Sequence, residues 1–256
     1  IGGGAERVVE QLHKLYPDAP IYTSVCSAEW RKKLDGKVVT GYLQHWPFRP
    51  LRKFLGVLRI GWFGRIDFSG YDVVISSSGN GEAKDINVPK DVKHICYCHS
   101  PVHFYWRNYQ QYLDNPGFGV FNFAARLGLR LLVGPLRKRD YKAARKPDYF
   151  IANSSFIAGQ IKKSYDRDAT VINPPLDLDR FTTKSTPGHT SRSGFVTMGR
   201  HVPYKRTDLI VDACTKLNLP LTVIGRGPEH QDLVDRAGPS VTFTDNVADD
   251  QMFEYL

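Results

Sequence analysis

The sequence predicts an α/β protein with two parallel-sheet domains, and three observations support this. Short apolar runs of strand character alternate with helical periodicity along nearly the whole chain, the pattern of βα units that build a parallel sheet with helices on both faces. The strands end in small or polar residues, where such a sheet presents its ligand edge. From 177 to 193 the composition shifts to Thr, Ser, Lys, Pro and Gly, and then the strand-helix pattern restarts. That break separates a first domain over 1–180 from a second over 194–256, with a linker at 181–193.

At 256 residues, with 41% hydrophobic and 24% charged residues, the chain can bury a real core. Its formal charge of +9 is unevenly spread. Residues 194–256 hold 6 Lys and Arg against 9 Asp and Glu, a net of −3 that leaves +12 on residues 1–193. The first domain should therefore attract an anionic surface and the second should not. The four cysteines, Cys26, Cys96, Cys98 and Cys214, lie in apolar strand-like or helical contexts, which favours reduced thiols in a cytosolic protein over disulfides. Cys96-Tyr-Cys98-His99 lacks both the spacing and the second ligand pair of a zinc site, so no metal is expected. The sequence shows no signal-peptide pattern and no run near the roughly 18 apolar residues of a spanning helix.

The chain opens on Ile1-Gly-Gly-Gly4-Ala-Glu-Arg7, followed by Val8, Val9, Leu12, Leu15 and Tyr16 spaced as one helical face. A glycine turn of this kind normally follows a strand, and the first strand of the domain is expected to be missing upstream. The glycines permit close backbone approach to a ligand, a plain linker being the alternative. A strand is expected at 20–26. Residues 46–65 carry five cations and no acid, interleaved with Trp46, Phe48, Phe54, Leu55, Leu58, Trp62 and Phe63. Such a segment suits an anionic membrane, with Arg49, Arg52, Lys53, Arg59, Trp62 and Arg65 as the contacts; a core-packed helix with solvated arginines is the alternative. Nucleic acid is not expected, because no nucleic-acid module accompanies the charge.

Residues 71–76 and 92–98 read as buried parallel strands. His99-Ser-Pro101 follows at a sheet edge, where an imidazole can hydrogen-bond a sugar hydroxyl or an oxyanion, and Pro101 suits the first turn of a helix carrying His103, Phe104 and Trp106. Residues 118–146 form a long helical pattern interrupted near Gly134-Pro135, with eight cations and one acid between Arg126 and Lys146. A solvated or membrane-facing helix is expected there. A strand at 148–153 leads into a helix capped by Ser154 or Ser155, and a strand at 169–173 stops at two prolines. In the second domain strands are expected at 195–199, 221–225 and 241–244, with helices at 205–217, 229–237 and 249–256.

The stretch from Phe195 to Leu209 carries the chemistry. A strand breaks at Gly199, and a polar turn then delivers Arg200, Lys205 and Arg206 where a helix begins. Unpaired N–H groups at a helix N-terminus favour an anion. A guanidinium fork and a mobile ammonium together suit a diphosphate better than a single carboxylate.

Six motifs in order resemble the family 4 glycosyltransferases of GT-B architecture: Gly2-Gly-Gly4-Ala-Glu-Arg-Val-Val9, Cys98-His-Ser-Pro101, Asp148-Tyr-Phe-Ile-Ala-Asn-Ser154, Val171-Ile-Asn-Pro-Pro-Leu-Asp177 with Arg180-Phe181, Gly199-Arg-His-Val-Pro-Tyr-Lys-Arg206, and Val223-Ile-Gly-Arg-Gly-Pro228. The resemblance implies two Rossmann-like domains facing a cleft. It also implies retaining transfer of a hexose from a nucleotide-diphosphate sugar, GDP- or UDP-linked, with no metal cofactor, to a lipid-linked or polysaccharide acceptor at the cytoplasmic membrane face. Likeness to bacterial polysaccharide mannosyltransferases favours mannose. On this resemblance Arg200 and Lys205 neutralise the donor diphosphate, Gly2 and Gly3 let a loop approach its phosphates, and His99 contacts the transferred sugar. Gly225 and Gly227 line the nucleotide pocket, and Val247 lies near the base. The family's paired glutamates have no counterpart up to Leu256, so the second domain is expected to be incomplete and this stretch inactive alone. The competing reading is a non-catalytic nucleotide-binding or membrane-scaffold domain.

Overall fold

The computed structural model describes residues 4–48, 56–79, 81–114, 116, 122–176, 193–245, 247 and 255. In chain order these form α1 (Gly4–Leu15), β1 (Ile21–Thr23), α2 (Ala28–Lys33), β2 (Val38–Thr40), a 3-10 turn (Tyr42–Gln44), α3 (Gly56–Phe63), β3 (Val73–Ser78), β4 (Lys93–Cys98), α4 (Tyr109–Asp114), α5 (Asn122–Ala143), β5 (Tyr149–Ala152), α6 (Ser155–Tyr165) and β6 (Thr170–Val171). Then come β7 (Phe195–Met198), a second 3-10 turn (Pro203–Lys205), α7 (Thr207–Leu217), β8 (Leu221–Ile224), α8 (His230–Arg236) and β9 (Val241–Thr244). Every strand pair is parallel, in sheets ordered β1-β2, β3-β4-β5-β6 and β7-β8-β9.

The chain divides into two compact units, residues 1–109 with 130–176, and residues 110–129 with 177–256. In the first, the core gathers Cys96 and Cys98 of β4, Phe150 and Ala152 of β5, Ala144, and Ile161 and Tyr165 of α6. Thiols and methyls on the strands leave room for the Phe150 and Tyr165 rings. All four cysteines are free and buried. Ser154 caps α6, its Oγ accepting from the Ile157 N–H at 3.3 Å. In the second unit Val211 and Cys214 of α7, Leu221 and Val223 of β8 and Leu233 of α8 form the core.

A polar cluster is built into the first unit. Lys84, 1% exposed, donates to Asp140 of α5, 6% exposed. The same carboxylate accepts from Trp106 Nε1 and from the Tyr165 hydroxyl, each at 2.8 Å. The Lys84 ammonium also stands 5.0 Å from the Tyr165 ring centroid. A buried charge persists when it is paired and its remaining hydrogen-bonding capacity is filled. Here one carboxylate ties together the loop after β3, the segment after Pro101, α5 and α6. Gly81 lies beside it at φ +91°, and a Cβ there would stand 2.8 Å from Val102 Cγ2.

Three expectations are corrected. Helix α5 runs through Pro135; Gly134 and Pro135 are exposed, so water can take up the carbonyl that the missing N–H leaves open. The segment after Pro101 is a run of turns, with Tyr105 and Trp106 N–H both donating to Val102 O, and α4 starts only at Tyr109. The helix expected over 205–217 is broken at Arg206, which takes a left-handed φ of +53° between the 3-10 turn and α7. The expected linker, apart from residue 193, and the expected last helix, apart from residue 255, lie outside the described residues.

Candidate functional site

In the first unit the carboxyl ends of β3 and β4 gather the candidate groups. The β3 run Ser76-Ser77-Ser78 pairs in register with Cys96-Tyr97-Cys98, which brings His99, one residue past β4, beside Ser77. His99 Nε2 and Ser77 Oγ are 2.8 Å apart. The His99 N–H donates to Ser78 O at 2.9 Å, and Asn153 Nδ2 donates to His99 O at 3.2 Å. The ring is half-buried, and desolvation lowers its pKa below the usual 6.5 against the opposing pull of Glu6 on α1. At neutral pH His99 is thus an uncharged imidazole, with its Nε2 engaged by Ser77 and its Nδ1 without a hydrogen bond among the described residues. Gly2 and Gly3 lie outside the described residues.

In the second unit β7 and β8 end side by side, Met198 opposite Ile224. Each then enters a glycine turn, Gly199 at φ +152° and Gly225 at φ +125°. The two turns touch backbone to backbone. A Cβ on Gly225 would lie 2.2 Å from Gly199 O, and one on Gly227 would lie 2.1 Å from His201 O. Those glycines are required for loop-on-loop packing, because no side chain fits there. The loops are stitched by Gly199 N–H to Ile224 O at 3.0 Å and His201 N–H to Arg226 O at 3.1 Å.

The structure sorts the cations on these loops. Arg206 grips both carboxylate oxygens of Asp208, at 3.0 Å from Nε and 3.0 Å from Nη2. Arg226 does the same to Asp245. Arg200 and Lys205 are exposed and have no ion pair or side-chain hydrogen bond among the described residues. They stand on the turn that opens α7. Tyr112 lies close enough to Arg200 and Tyr204 to sense both; desolvation raises its pKa, Tyr204 adds to the rise and Arg200 opposes it. Val247, past β9, is half-buried.

The basic aromatic segment is also sorted. Arg49, Arg52 and Lys53 lie outside the described residues. Arg59 donates to Glu82 at 2.6 Å from Nη2 and 3.1 Å from Nε. Trp62 is half-buried against Gly41, where a Cβ would lie 1.9 Å from the indole nitrogen. Arg65 is exposed, and so is Trp46, at 84%. No described helix is long and apolar enough to cross a membrane. Among the described residues no group of three or more His, Cys, Asp or Glu is placed to hold a metal ion.

One pair escaped sequence reasoning. His201, inside the Gly199–Arg206 motif, meets His230 at the start of α8, Nδ1 to Nδ1 at 3.0 Å. The two residues are 29 positions apart, and no periodicity links them.

Comparison with solved structures finds a lipopolysaccharide outer core galactosyltransferase, WaaB, in its apo form, at 15% identity and a TM-score of 0.54 over 96% of this chain and 65% of that one. A mutant of S. aureus TarM in complex with Fondaparinux, alpha-GlcNAc-glycerol and UDP matches at 15% identity and a TM-score of 0.46, over 74% of this chain and 36% of that one. The chain therefore spans about two thirds of the WaaB structure's length. Comparison with curated proteins gives no match. The glycosyltransferase family 4 profile matches residues 2–180. With that match, the parallel α/β units and the GT-B likeness, the chain belongs to glycosyltransferase family 4.

Proposed function

We propose that the protein is a retaining glycosyltransferase that moves a hexose from a nucleotide-diphosphate sugar to a lipid-linked or polysaccharide acceptor, with mannose the first sugar to test. The observation that carries this reading is the sorting of cations in the second unit. Arg206 and Arg226 are committed to carboxylates, while Arg200 and Lys205 are left open at the carboxyl end of β7. Charge grows on the diphosphate leaving group as the glycosidic bond breaks. Fixed cations beside it therefore stabilise the transition state more than the bound donor.

In this reading Arg200 forks onto two phosphate oxygens, and Lys205 follows the charge as a mobile ammonium. His99 stays neutral and offers its free ring nitrogen to a hydroxyl of the transferred sugar. Gly2 and Gly3 approach the phosphates, and the Gly225–Gly227 turn and Val247 border the nucleotide. The side chains supply the positive charge, and we expect no metal requirement. The enzyme works from the cytoplasm on the inner membrane face, where Trp46, Leu58 and Arg65 are among the described residues open to an anionic surface.

The test is transfer from GDP- and UDP-linked hexoses by the full-length protein. Replacing Arg200 or Lys205 by Ala should lower the rate by about a hundredfold or more, and unchanged rates in both variants would sink the assignment. Nucleotide binding without any transfer would favour the non-catalytic reading. Liposome flotation separates the membrane claim, since equal recovery on neutral and anionic vesicles at low salt removes its electrostatic basis.

A further inference from the structure

His201 and His230 join the two loops that flank Arg200. His201 follows β7 and is 1% exposed; His230 opens α8 and is half-buried. Their ring planes lie 7° from parallel, with centroids 5.1 Å apart and Nδ1 facing Nδ1 at 3.0 Å. Phe243 of β9 closes over both edge-on, at 6.4 and 5.6 Å. The backbones lock alongside, with Glu229 N–H donating to His201 O at 3.3 Å. His201 Nε2 is buried without a hydrogen-bond partner among the described residues.

This geometry restricts the protons. A contact between two Nδ1 atoms holds when one ring donates and the other accepts through a bare lone pair. The less costly assignment has His201 Nδ1–H donating to His230 Nδ1, because it leaves on buried His201 Nε2 a bare acceptor rather than an unsatisfied N–H. Protonating His230 at Nδ1 sets N–H against N–H. The alternative moves the His201 proton onto its buried Nε2, where nothing receives it. A proton added to the closed pair therefore ends either as N–H against N–H or on the buried His201 Nε2, and opening the contact relieves that cost.

We propose that His201 and His230 form a proton-sensitive clasp that holds the Arg200–Lys205 turn against the Gly225–Gly227 turn, so that acidification loosens the nucleotide-diphosphate site. This rests on the donor-site reading above. His201 and His230 act here as positioning residues through Arg200. The charged groups around the clasp come from every neighbouring element. Arg200 precedes His201. Arg226 and Asp245, paired with each other, flank it from the ends of β8 and β9, and Asp245 senses the charge of His230. Glu229 precedes His230, within reach of Arg206 just before α7, of Asp208 in the first turn of α7, and of Asp232 and Arg236 on α8.

Desolvation first, and the neighbouring His230 second, lower the His201 pKa from 6.5. A group whose pKa is depressed in the closed state favours closure fully above its open-state value. That preference fades as pH falls through about 6.5 and below.

Calorimetric binding of UDP and GDP to the full-length protein at about pH 7.5 and about pH 5.5 tests the clasp. We expect the wild-type Kd to rise by about tenfold or more on acidification. His230→Phe should weaken binding at both pH values. His230→Asn, which keeps a non-titrating hydrogen-bonding group near the Nδ1 position, should recover most of that loss at neutral pH and flatten the pH response. The ligand's own phosphate ionisation acts equally on both proteins, so the difference between them reads the imidazole pair. In nucleotide-free protein, the amide resonances of Arg200, His201 and Gly227 should move together with one midpoint below about pH 6.5, and this movement should vanish in His230→Asn. Parallel pH losses in wild type and His230→Asn would overturn the proposal, as would loops whose amides do not titrate together. If neither nucleotide binds at any pH, the donor reading fails, and control of a nucleotide site fails with it; amides that still titrate together would then show a clasp of the loops alone.

Discussion

The two units use their buried and exposed cations in opposite ways. In the first, Lys84 is sealed inside, and its partner Asp140 also accepts from Trp106 and Tyr165. In the second, Arg200 and Lys205 stand in the open without a carboxylate among the described residues. The difference teaches how to separate a cation that holds the fold from one that awaits an anion. The first is desolvated and ion-paired; the second is solvated and unpaired among the described residues, while its neighbours Arg206 and Arg226 are not.

The largest effect should come from breaking the sealed cluster. Asp140→Ala leaves Lys84 buried without its counter-charge and strips two further donors of their acceptor, so urea unfolding should show a loss of about 3–5 kcal/mol. A loss below about 1 kcal/mol would place Lys84 in solvent instead. Arg200→Ala should behave in the opposite sense, with stability unchanged within about 0.5 kcal/mol and transfer down by about a hundredfold. Equal losses of stability and activity would erase the contrast.

A titration sharpens the comparison within the first unit. His94 on β4 is 1% exposed, shares a 2.9 Å contact with Ser76 through Nε2 and has a buried Nδ1 without a partner among the described residues. Burial pushes its pKa down to about 4, against the favourable charge of Asp148. The unfolded chain therefore takes up the proton first. His94 stabilises the fold fully above about pH 6.5, and on the order of 3 kcal/mol drains away as pH falls toward 4. Unfolding measured between about pH 7 and about pH 4.5 should show that slope, and His94→Gln should flatten it. Smallest is the cap of α6: Ser154→Ala should cost about 1 kcal/mol, read as a shift in the unfolding midpoint with transfer unaffected.

Much of this protein was legible from residue order. Strand runs at 195–199, 221–225 and 241–244 fall within a residue of β7, β8 and β9, because short β-branched and aromatic runs bounded by turn residues favour strands. The corrected elements share a cause. Pro135 reads locally as a helix break, and only its exposed setting on α5 reveals why the helix continues. Pro101 reads as a helix start, yet the turns after it place Trp106 on Asp140, a partner 34 positions away.

The candidate site divides along the same line. Arg200 and Lys205 could be named from a strand, a glycine turn and a following helix, and His99 from its place just past a strand, since those are neighbours along the chain. Local spacing also named Arg206, Arg59 and Trp62, and folding committed Arg206 to Asp208, Arg59 to Glu82 and Trp62 to Gly41. The joining of His201 to His230 was likewise invisible in the linear order. Residue types and local periodicity set which groups can carry charge and which segments form strands. Which charges stay free is settled in space, by a near partner such as Asp208 for Arg206 and by distant ones such as Glu82 for Arg59, because pairing and desolvation depend on where folding brings the groups.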